Sequence, residues 1–209
     1  MNLLPVLSLG FVLGLTHATD ADHVAAMSTV VAERKRLRSA AWAGTLWGLG
    51  HTAMVVLVGG AIVLFRLVVP ERVALSLELG VAAMLMVLGG RALLRKSTPH
   101  GHHHGPASPL RSMGIGLVHG LAGSAGVALA VLADVKSPTL GVAYLGIFGV
   151  GTVVGMVIVT TLLAVPFVVA SARFSSLADR LAKLAGAASL VLGVVLAYKI
   201  GFVDGLFTS

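Results

Sequence analysis

Long runs of apolar residues divide the chain and predict its helices. Each run reaches the length of about 20 residues that an α-helix needs to cross a bilayer, and short polar or basic segments separate the runs. The pattern therefore predicts an all-α, polytopic membrane protein with six transmembrane helices. The runs fall near residues 3–32, 40–68, 73–94, 113–133, 140–170 and 181–203.

Composition agrees with membrane insertion. Hydrophobic residues make up 57% of the chain and charged residues 11%, with a mean hydropathy of +0.99. Such a chain lacks the polar surface that a soluble domain needs. The net charge of +7 would suggest a nucleic-acid partner in a soluble protein, but here the Lys and Arg residues stand at the ends of apolar runs. We therefore expect a lipid bilayer as partner and no nucleic acid.

The basic residues predict the orientation in the membrane. Residues 33–38, Glu-Arg-Lys-Arg-Leu-Arg, are the densest basic cluster, and the positive-inside rule places them in the cytoplasm. Alternating crossings from this point put eleven Lys and Arg residues inside and four outside. Because six crossings return the chain to its starting side, both termini are predicted to face outward from the cytoplasmic (inner) membrane.

Two halves of the chain resemble each other. A shift of 102 residues lays Gly14-Leu-Thr-His17 on Gly116-Leu-Val-His119, and a shift of 101 lays Gly48-Leu-Gly-His-Thr52 on Gly149-Val-Gly-Thr-Val153. This predicts a duplicated three-helix unit. Because each unit has an odd number of crossings, the copies would lie in opposite orientations, as in many secondary transporters. The predicted units are residues 1–96 and 111–209, joined by a His-rich cytoplasmic loop at residues 97–110.

Glycines at a spacing of four residues recur in the apolar runs. Small residues at this spacing let helices approach closely in lipid, where no hydrophobic force draws them together. We expect close packing at these positions and no direct chemical role. The pairs are Gly10/Gly14, Gly44/Gly48, Gly116/Gly120 and Gly151/Gly155.

Two imidazoles and two carboxylates fall within seven residues of the first apolar run, His17-Ala-Thr-Asp-Ala-Asp-His23. Each ionisable group costs a few kcal/mol in mid-membrane, so we expect something to bind them. On an ideal helix His17, Asp20 and His23 share one arc of about 120°, whereas Asp22 points away. Either Asp22 orients an imidazole on a neighbouring helix, or the helix is broken here and all four groups converge.

Two further histidines lie at a suitable depth. Counted from the basic ends at about 1.5 Å per residue, His51 shares a layer with the first-helix pair, and His119 lies slightly nearer the cytoplasm. Imidazole and carboxylate ligands suit divalent Ni, Co, Zn, Fe or Mn, and the absence of cysteine excludes thiolate sites. The predicted metal residues are His17, Asp20, Asp22, His23, His51 and His119.

Three other polar residues are weaker candidates. Ser124 and Thr152 can each bond to the backbone of their own helix. Glu78 lies near the outer end of the third helix, where we interpret it as a surface acid and not as part of a pathway.

A second group of histidines, His100-Gly-His-His-His104, lies between the third and fourth helices. A flexible His tract on the cytoplasmic side predicts low-affinity metal capture. The alternative is a solvated linker. The capture residues would be His100, His102, His103 and His104.

The first-helix residues resemble those of a known family, the nickel/cobalt transporters. His17, Asp22 and His23 match its His-x4-Asp-His motif, Asp20 completes the usual form, and Leu49-Gly-His51 resembles its second-helix motif. The resemblance implies a secondary permease for Ni²⁺ or Co²⁺ whose metal pathway includes four residues. They are His17, Asp22, His23 and His51.

The second half is most similar to the shorter, urease-accessory-type nickel permeases. The classical members have eight helices and an acidic motif in the second half, where this chain has His119-Gly-Leu-Ala-Gly-Ser-Ala125. This resemblance favours import and implies cytoplasmic metallochaperones or nickel-enzyme maturation proteins as partners. The ion would be transported cargo, with no permanently bound cofactor.

Motifs and energetics limit the mechanism. The chain has neither a Gly-x4-Gly-Lys-[Ser/Thr] phosphate loop nor a His-Glu-x-x-His motif, so we expect no nucleotide hydrolysis and no enzyme. Two charges moving inward down about 100 mV gain roughly 4.6 kcal/mol, so import needs no further coupling. Two alternatives stay open, namely metal efflux by proton exchange and a membrane accessory protein that inserts metal into a nickel enzyme.

Overall fold

The computed structural model describes residues 3–34, 36–95, 109–134 and 137–208. Within these ranges the chain is helical, with no strand. The helices are α1 (Leu3–His17), α2 (Ala21–Val31), α3 (Leu37–Met54), α4 (Gly60–Phe65), α5 (Glu71–Leu94), α6 (Pro109–Asp134), α7 (Pro138–Arg173) and α8 (Ser175–Tyr198). A π-helical turn, Val55–Gly59, joins α3 to α4, and a second one, Lys199–Val203, extends α8.

The prediction of a polytopic, all-helical membrane protein is confirmed. In the described part of the chain, four helical segments are long and apolar enough to cross a bilayer: Leu37–Phe65, Glu71–Leu94, Pro138–Arg173 and Ser176–Val203. Large apolar side chains such as Leu57, Leu162 and Leu184 are more than 60% exposed, a surface suited to lipid and not to water. The number of six spans stays a prediction.

The first predicted helix is broken between α1 and α2. The Thr19 and Asp20 amides donate to the Thr16 and His17 carbonyls at 2.8 and 3.1 Å, which closes a tight turn. The Thr19 hydroxyl also donates to the Thr16 carbonyl at 2.6 Å, a side-chain bond that competes with helix continuation. Asp20 has an extended ψ of 145°, and α2 begins immediately after it. The helix is therefore broken, as one of the two alternatives drawn from the sequence requires, and the convergence of all four polar groups in that alternative depends on where their side chains lie.

Glycines allow the helices to pack with their backbones in contact. α1 packs along α7, α3 packs along both α6 and α7, and α5 packs along α8. A Cβ atom on Gly14 of α1 would overlap the Phe148 carbonyl oxygen of α7, and one on Gly116 of α6 would overlap the Trp47 carbonyl oxygen of α3. These positions therefore accept only glycine without a shift of backbone, as the glycine spacing predicts.

An ionic cluster joins three elements at the basic end of the bundle. Arg111 at the start of α6 donates to Glu33 at 2.8 Å, and Arg95 after α5 lies 3.8 Å from the same carboxylate. Arg34 is buried nearby and donates to the Ser39 hydroxyl at 3.1 Å. Burial lowers the pKa of its guanidinium, which stays charged at physiological pH. This end of the bundle carries the basic cluster from which the sequence predicts the cytoplasmic side.

Candidate metal site

Four histidines meet where the break between α1 and α2 faces α3 and α6. His17 ends α1, His23 lies in the first turn of α2, His51 lies on α3, and His119 lies on α6. The His23 ring centroid is 4.7 Å from that of His17, 5.2 Å from that of His51 and 4.6 Å from that of His119. We refer to these four residues as the histidine cluster.

The cluster holds buried nitrogen atoms without partners. His23, His51 and His119 are 2%, 1% and 2% exposed. In the described part of the chain, hydrogen-bond partners are lacking for Nε2 of His17, Nε2 of His23, both ring nitrogens of His51 and Nδ1 of His119, while Nε2 of His119 has only Asp22 Oδ2, at 3.4 Å. A buried polar atom left without a partner costs about 1–3 kcal/mol. Each neutral imidazole offers one nitrogen lone pair, so four such rings in one cluster favour a ligand that accepts nitrogen lone pairs.

The two carboxylates contact the rings on the opposite nitrogen. Asp20 Oδ2 lies 2.8 Å from His17 Nδ1, and Asp22 Oδ1 lies 3.0 Å from His23 Nδ1. An ionised carboxylate only accepts hydrogen bonds, so each ring donates from Nδ1 and keeps the lone pair on Nε2. A carboxylate in this position fixes the tautomer and orientation of an imidazole and raises its basicity towards a metal.

The ligand atoms form two overlapping groups. One atom from each of His17, His23 and His51 lies within 4.8 Å of the other two, and the same holds for Asp22, His23 and His119. Asp22 Oδ2 lies 3.4 Å from His119 Nε2. His23 belongs to both groups, so the two share one residue.

The two aspartates exchange the roles that an ideal helix assigns to them. On an unbroken helix Asp20 would share an arc with the two histidines and Asp22 would point away. The break turns the Asp20 side chain outward, 52% exposed, with His17 as its contact. Asp22 instead lies between His23 and His119. The broken helix therefore brings together the histidines and Asp22, whereas Asp20 reaches the cluster only through His17.

Of the two weaker candidates, Thr152 and Ser124, the structure describes only the side chain of Thr152. The Thr152 hydroxyl donates to the Phe148 carbonyl of its own helix at 2.9 Å, so the backbone-bonded alternative is confirmed for Thr152. The side chain of Ser124 lies outside the described residues, as do the four histidines of the loop, His100, His102, His103 and His104.

The site prediction missed two aromatic residues that border the histidine cluster. The Trp47 ring lies 5.5 Å from the His119 ring, and the Phe148 ring lies 5.4 Å from the His17 ring, measured between centroids. A signal for both was present in the repeat, because the shift of 101 residues aligns Trp47 with Phe148. Their apolar faces limit the access of water to the imidazoles.

A cavity of about 220 Å³ contains the cluster and extends beyond it. The four histidines and Asp22 line this cavity. Glu78 of α5 and Lys199 at the end of α8 also line it, and so do Val81 and Leu196, which lie about one turn from them on the same two helices. Glu78 is exposed, as its interpretation as a surface acid predicts, and it also lines the cavity that contains the cluster.

Comparisons with known proteins relate the chain to nickel-transport and urease accessory proteins. Residues 3–99 match the family described as high-affinity nickel-transport protein. The chain is also 36% identical over 221 residues to the urease accessory protein UreH of Bacillus sp. (strain TB-90), an alignment that covers 99% of this chain and 96% of that protein. No solved structure matches the chain.

Proposed function

Because the chain belongs to the high-affinity nickel-transport protein family, we propose that it is a secondary permease that carries Ni²⁺ or Co²⁺ across the cytoplasmic membrane into the cell. The chain is a multi-pass transport or accessory protein and not an enzyme. The observation that carries the proposal is the cluster of four histidines inside a bundle of apolar helices, with five buried ring nitrogens that have no partner among the described residues.

The geometry favours His17, His23 and His51 as the direct ligands of the transported ion. Ligands about 2.1 Å from an ion lie at most about 4.2 Å apart, and the three ligand atoms already lie within 4.8 Å of one another. Binding would thus need only a small contraction of the rings. Nitrogen ligands without thiolate suit Ni²⁺ and Co²⁺ better than soft Cu⁺. At this first position of the ion, Asp20 and Asp22 would orient His17 and His23 from outside the coordination sphere.

The second group provides a neighbouring position for the ion. Asp22, His23 and His119 share His23 with the first group. An ion that moves from one group to the other keeps one ligand throughout, which avoids a fully desolvated and uncoordinated intermediate. Transport requires that the ion moves between sites of similar affinity, since an ion that is held too tightly is not released.

Equivalent helix contacts support the predicted inverted repeat. Gly14 lies against Phe148, and Gly116 lies against Trp47. A shift of 102 relates the two glycines, and a shift of 101 relates the two aromatic residues. The same type of contact therefore occurs twice, once between α1 and α7 and once between α6 and α3.

A further set of contacts follows the same rule. A Cβ atom on Gly50 would overlap the Met113 carbonyl oxygen, and one on Gly151 would overlap the Phe11 carbonyl oxygen. The shifts of 101 and 102 again relate the partners. If a two-fold axis relates the two halves, each contact from the first half to the second must have a counterpart from the second half to the first, as these contacts do. In such transporters one half rocks against the other around a site near the midplane, and the histidine cluster is our candidate for that site.

Uptake into sealed proteoliposomes tests this function. With an inside-negative potential, we expect saturable accumulation of Ni²⁺, with Co²⁺ as competitor and with Zn²⁺ and Mn²⁺ for comparison. Two charges moving through about 100 mV gain roughly 4.6 kcal/mol, so dissipating the potential should abolish accumulation. Accumulation that requires an outward proton gradient and persists without the potential would instead support metal–proton exchange.

The name of the relative favours a second function. A urease accessory protein could deliver nickel to a maturing enzyme, and nickel-enzyme maturation proteins would then be partners of this chain. A delivery protein that does not translocate metal would bind Ni²⁺ in detergent but leave the interior of the vesicle free of it. Binding and uptake measured on the same preparation therefore separate the two functions.

We propose that the loop histidines capture metal at the cytoplasmic face. Replacing His100, His102, His103 and His104 together by Ala should remove weak Ni²⁺ sites in equilibrium dialysis, because exposed imidazoles bind divalent ions loosely. Uptake should continue with a changed apparent affinity, since the histidine cluster remains. Complete loss of uptake in well-folded protein would assign these residues to the translocation site instead.

A further inference from the structure

The cavity reaches from the histidine cluster towards the end of the bundle opposite the ionic cluster. Glu78 lies seven residues after the start of α5 at Glu71, or about 10 Å along the helix axis. The other end of α5 adjoins Arg95, which contacts Glu33 at the basic end. Lys199 follows the last residue of α8, Tyr198. The two charged residues therefore line the part of the cavity that lies towards the face away from the predicted cytoplasmic side.

The charges in this part of the cavity do not cancel. The Lys199 ammonium donates to both carboxylate oxygens of Asp204, at 3.1 and 2.9 Å. The π-helical turn that begins at Lys199 allows this contact, because the Asp204 amide donates to the Lys199 carbonyl at 2.8 Å. Among the described residues, Glu78 makes no ion pair within 4.0 Å, and it acts on Lys199 only through a longer-range Coulomb interaction that is weaker than that of Asp204. The two carboxylates and one ammonium therefore leave one net negative charge.

We propose that Glu78 draws the divalent cation into the cavity, and that Asp204 keeps Lys199 from neutralising it. The proposal rests on the proposed function and adds the residues that set the rate of access to the cluster. Charge of one sign lining a cleft with low-dielectric walls raises the local concentration of an oppositely charged ion by about 10- to 1,000-fold, and the single, exposed Glu78 carboxylate should act at the low end of this range. A divalent ion gains twice the energy of a monovalent one at the same point, so the effect discriminates by charge.

Three variants should move the rate in different directions. Glu78→Gln removes the attracting charge, and we expect kcat/KM for Ni²⁺ uptake to fall about 10-fold at low ionic strength. Lys199→Gln removes the opposing charge and should raise kcat/KM. Asp204→Asn releases the Lys199 ammonium, which can then pair with Glu78, so kcat/KM should fall. The difference between each variant and the wild type should shrink at high salt, because screening weakens exposed charges.

Glu71→Gln is the matched control, because Glu71 is an exposed acid on the same helix that does not line the cavity. It should leave uptake unchanged. Calorimetric binding of Ni²⁺ in detergent separates the outcomes. If the wild type binds no Ni²⁺, both the proposed function and this inference fail. If the wild type binds and transports Ni²⁺ while Glu78→Gln matches Glu71→Gln, or if Lys199→Gln lowers the rate, this inference alone is overturned.

Discussion

Replacement of His23 by Ala is expected to abolish high-affinity Ni²⁺ binding. His23 is the residue that the two ligand groups share, and its ring lies 4.7 Å from His17 and 4.6 Å from His119 between centroids. Removal of a partner outside the coordination sphere typically costs about 10- to 100-fold in affinity, so loss of a direct ligand common to both groups should cost more than 100-fold. Titration calorimetry on the purified protein in detergent would measure the loss.

Two comparison variants locate the cause of that loss. His119→Ala removes an equally buried imidazole but leaves the group of His17, His23 and His51 whole, so it should retain more affinity than His23→Ala. Asp22→Asn should cost about 10- to 100-fold if the carboxylate only orients its histidines. A larger loss would make Asp22 a direct ligand. Wild-type binding by His23→Ala in correctly inserted protein would contradict the shared site.

The second large effect is expected from Gly116→Ala. The added Cβ atom would overlap the Trp47 carbonyl oxygen, and backbone atoms of α3 cannot rotate away as a flexible side chain can. The two helices must separate, at a cost of about 1–3 kcal/mol by analogy with overpacked cores. His51 lies one turn beyond Trp47 on α3, so the same shift moves an imidazole away from His23. We expect a lower thermal unfolding temperature and weaker Ni²⁺ binding.

Gly114→Ala is the matched control on the same helix. A Cβ atom at Gly114 meets no atom within 4 Å, so the substitution fills open space. Ala is favoured over Gly in a helix by about 0.5–1 kcal/mol, and Gly114→Ala should therefore be neutral or slightly stabilising. The two substitutions are chemically identical and lie two residues apart, so equal thermal stability of the variants would show that α3 and α6 are not in backbone contact at Gly116.

The membrane class, the positions of the helices and the main candidate residues were predictable from the sequence. The predicted run at residues 73–94 corresponds to α5 at Glu71–Leu94, and the run at residues 113–133 lies within α6. Such agreement follows because the length of an apolar run is a local property, set by the thickness of the bilayer. His17, His23, His51 and His119 were identifiable because ionisable residues are rare and costly within apolar runs.

The tertiary structure decided how these residues act together. Helical periodicity assigns a side chain its direction only while the helix is regular. The turn at Thr19 therefore placed Asp22 between His23 and His119 and left Asp20 in contact with His17 alone, an arrangement that combines parts of both alternatives drawn from the sequence. Likewise, the place of Glu78 in the cavity depends on how α5 packs along α8, which its position along α5 does not reveal.

The sequence by itself thus determined which groups are buried in the membrane, because the hydrophobicity of neighbouring residues fixes their depth. It did not determine which groups meet, because lipid supplies no hydrophobic force between helices and association depends on where backbones can touch. The contacts of Gly14 with Phe148 and of Gly116 with Trp47 set those approaches. The contact of Gly116 brings α6 against α3, and only that packing places His119 beside His23.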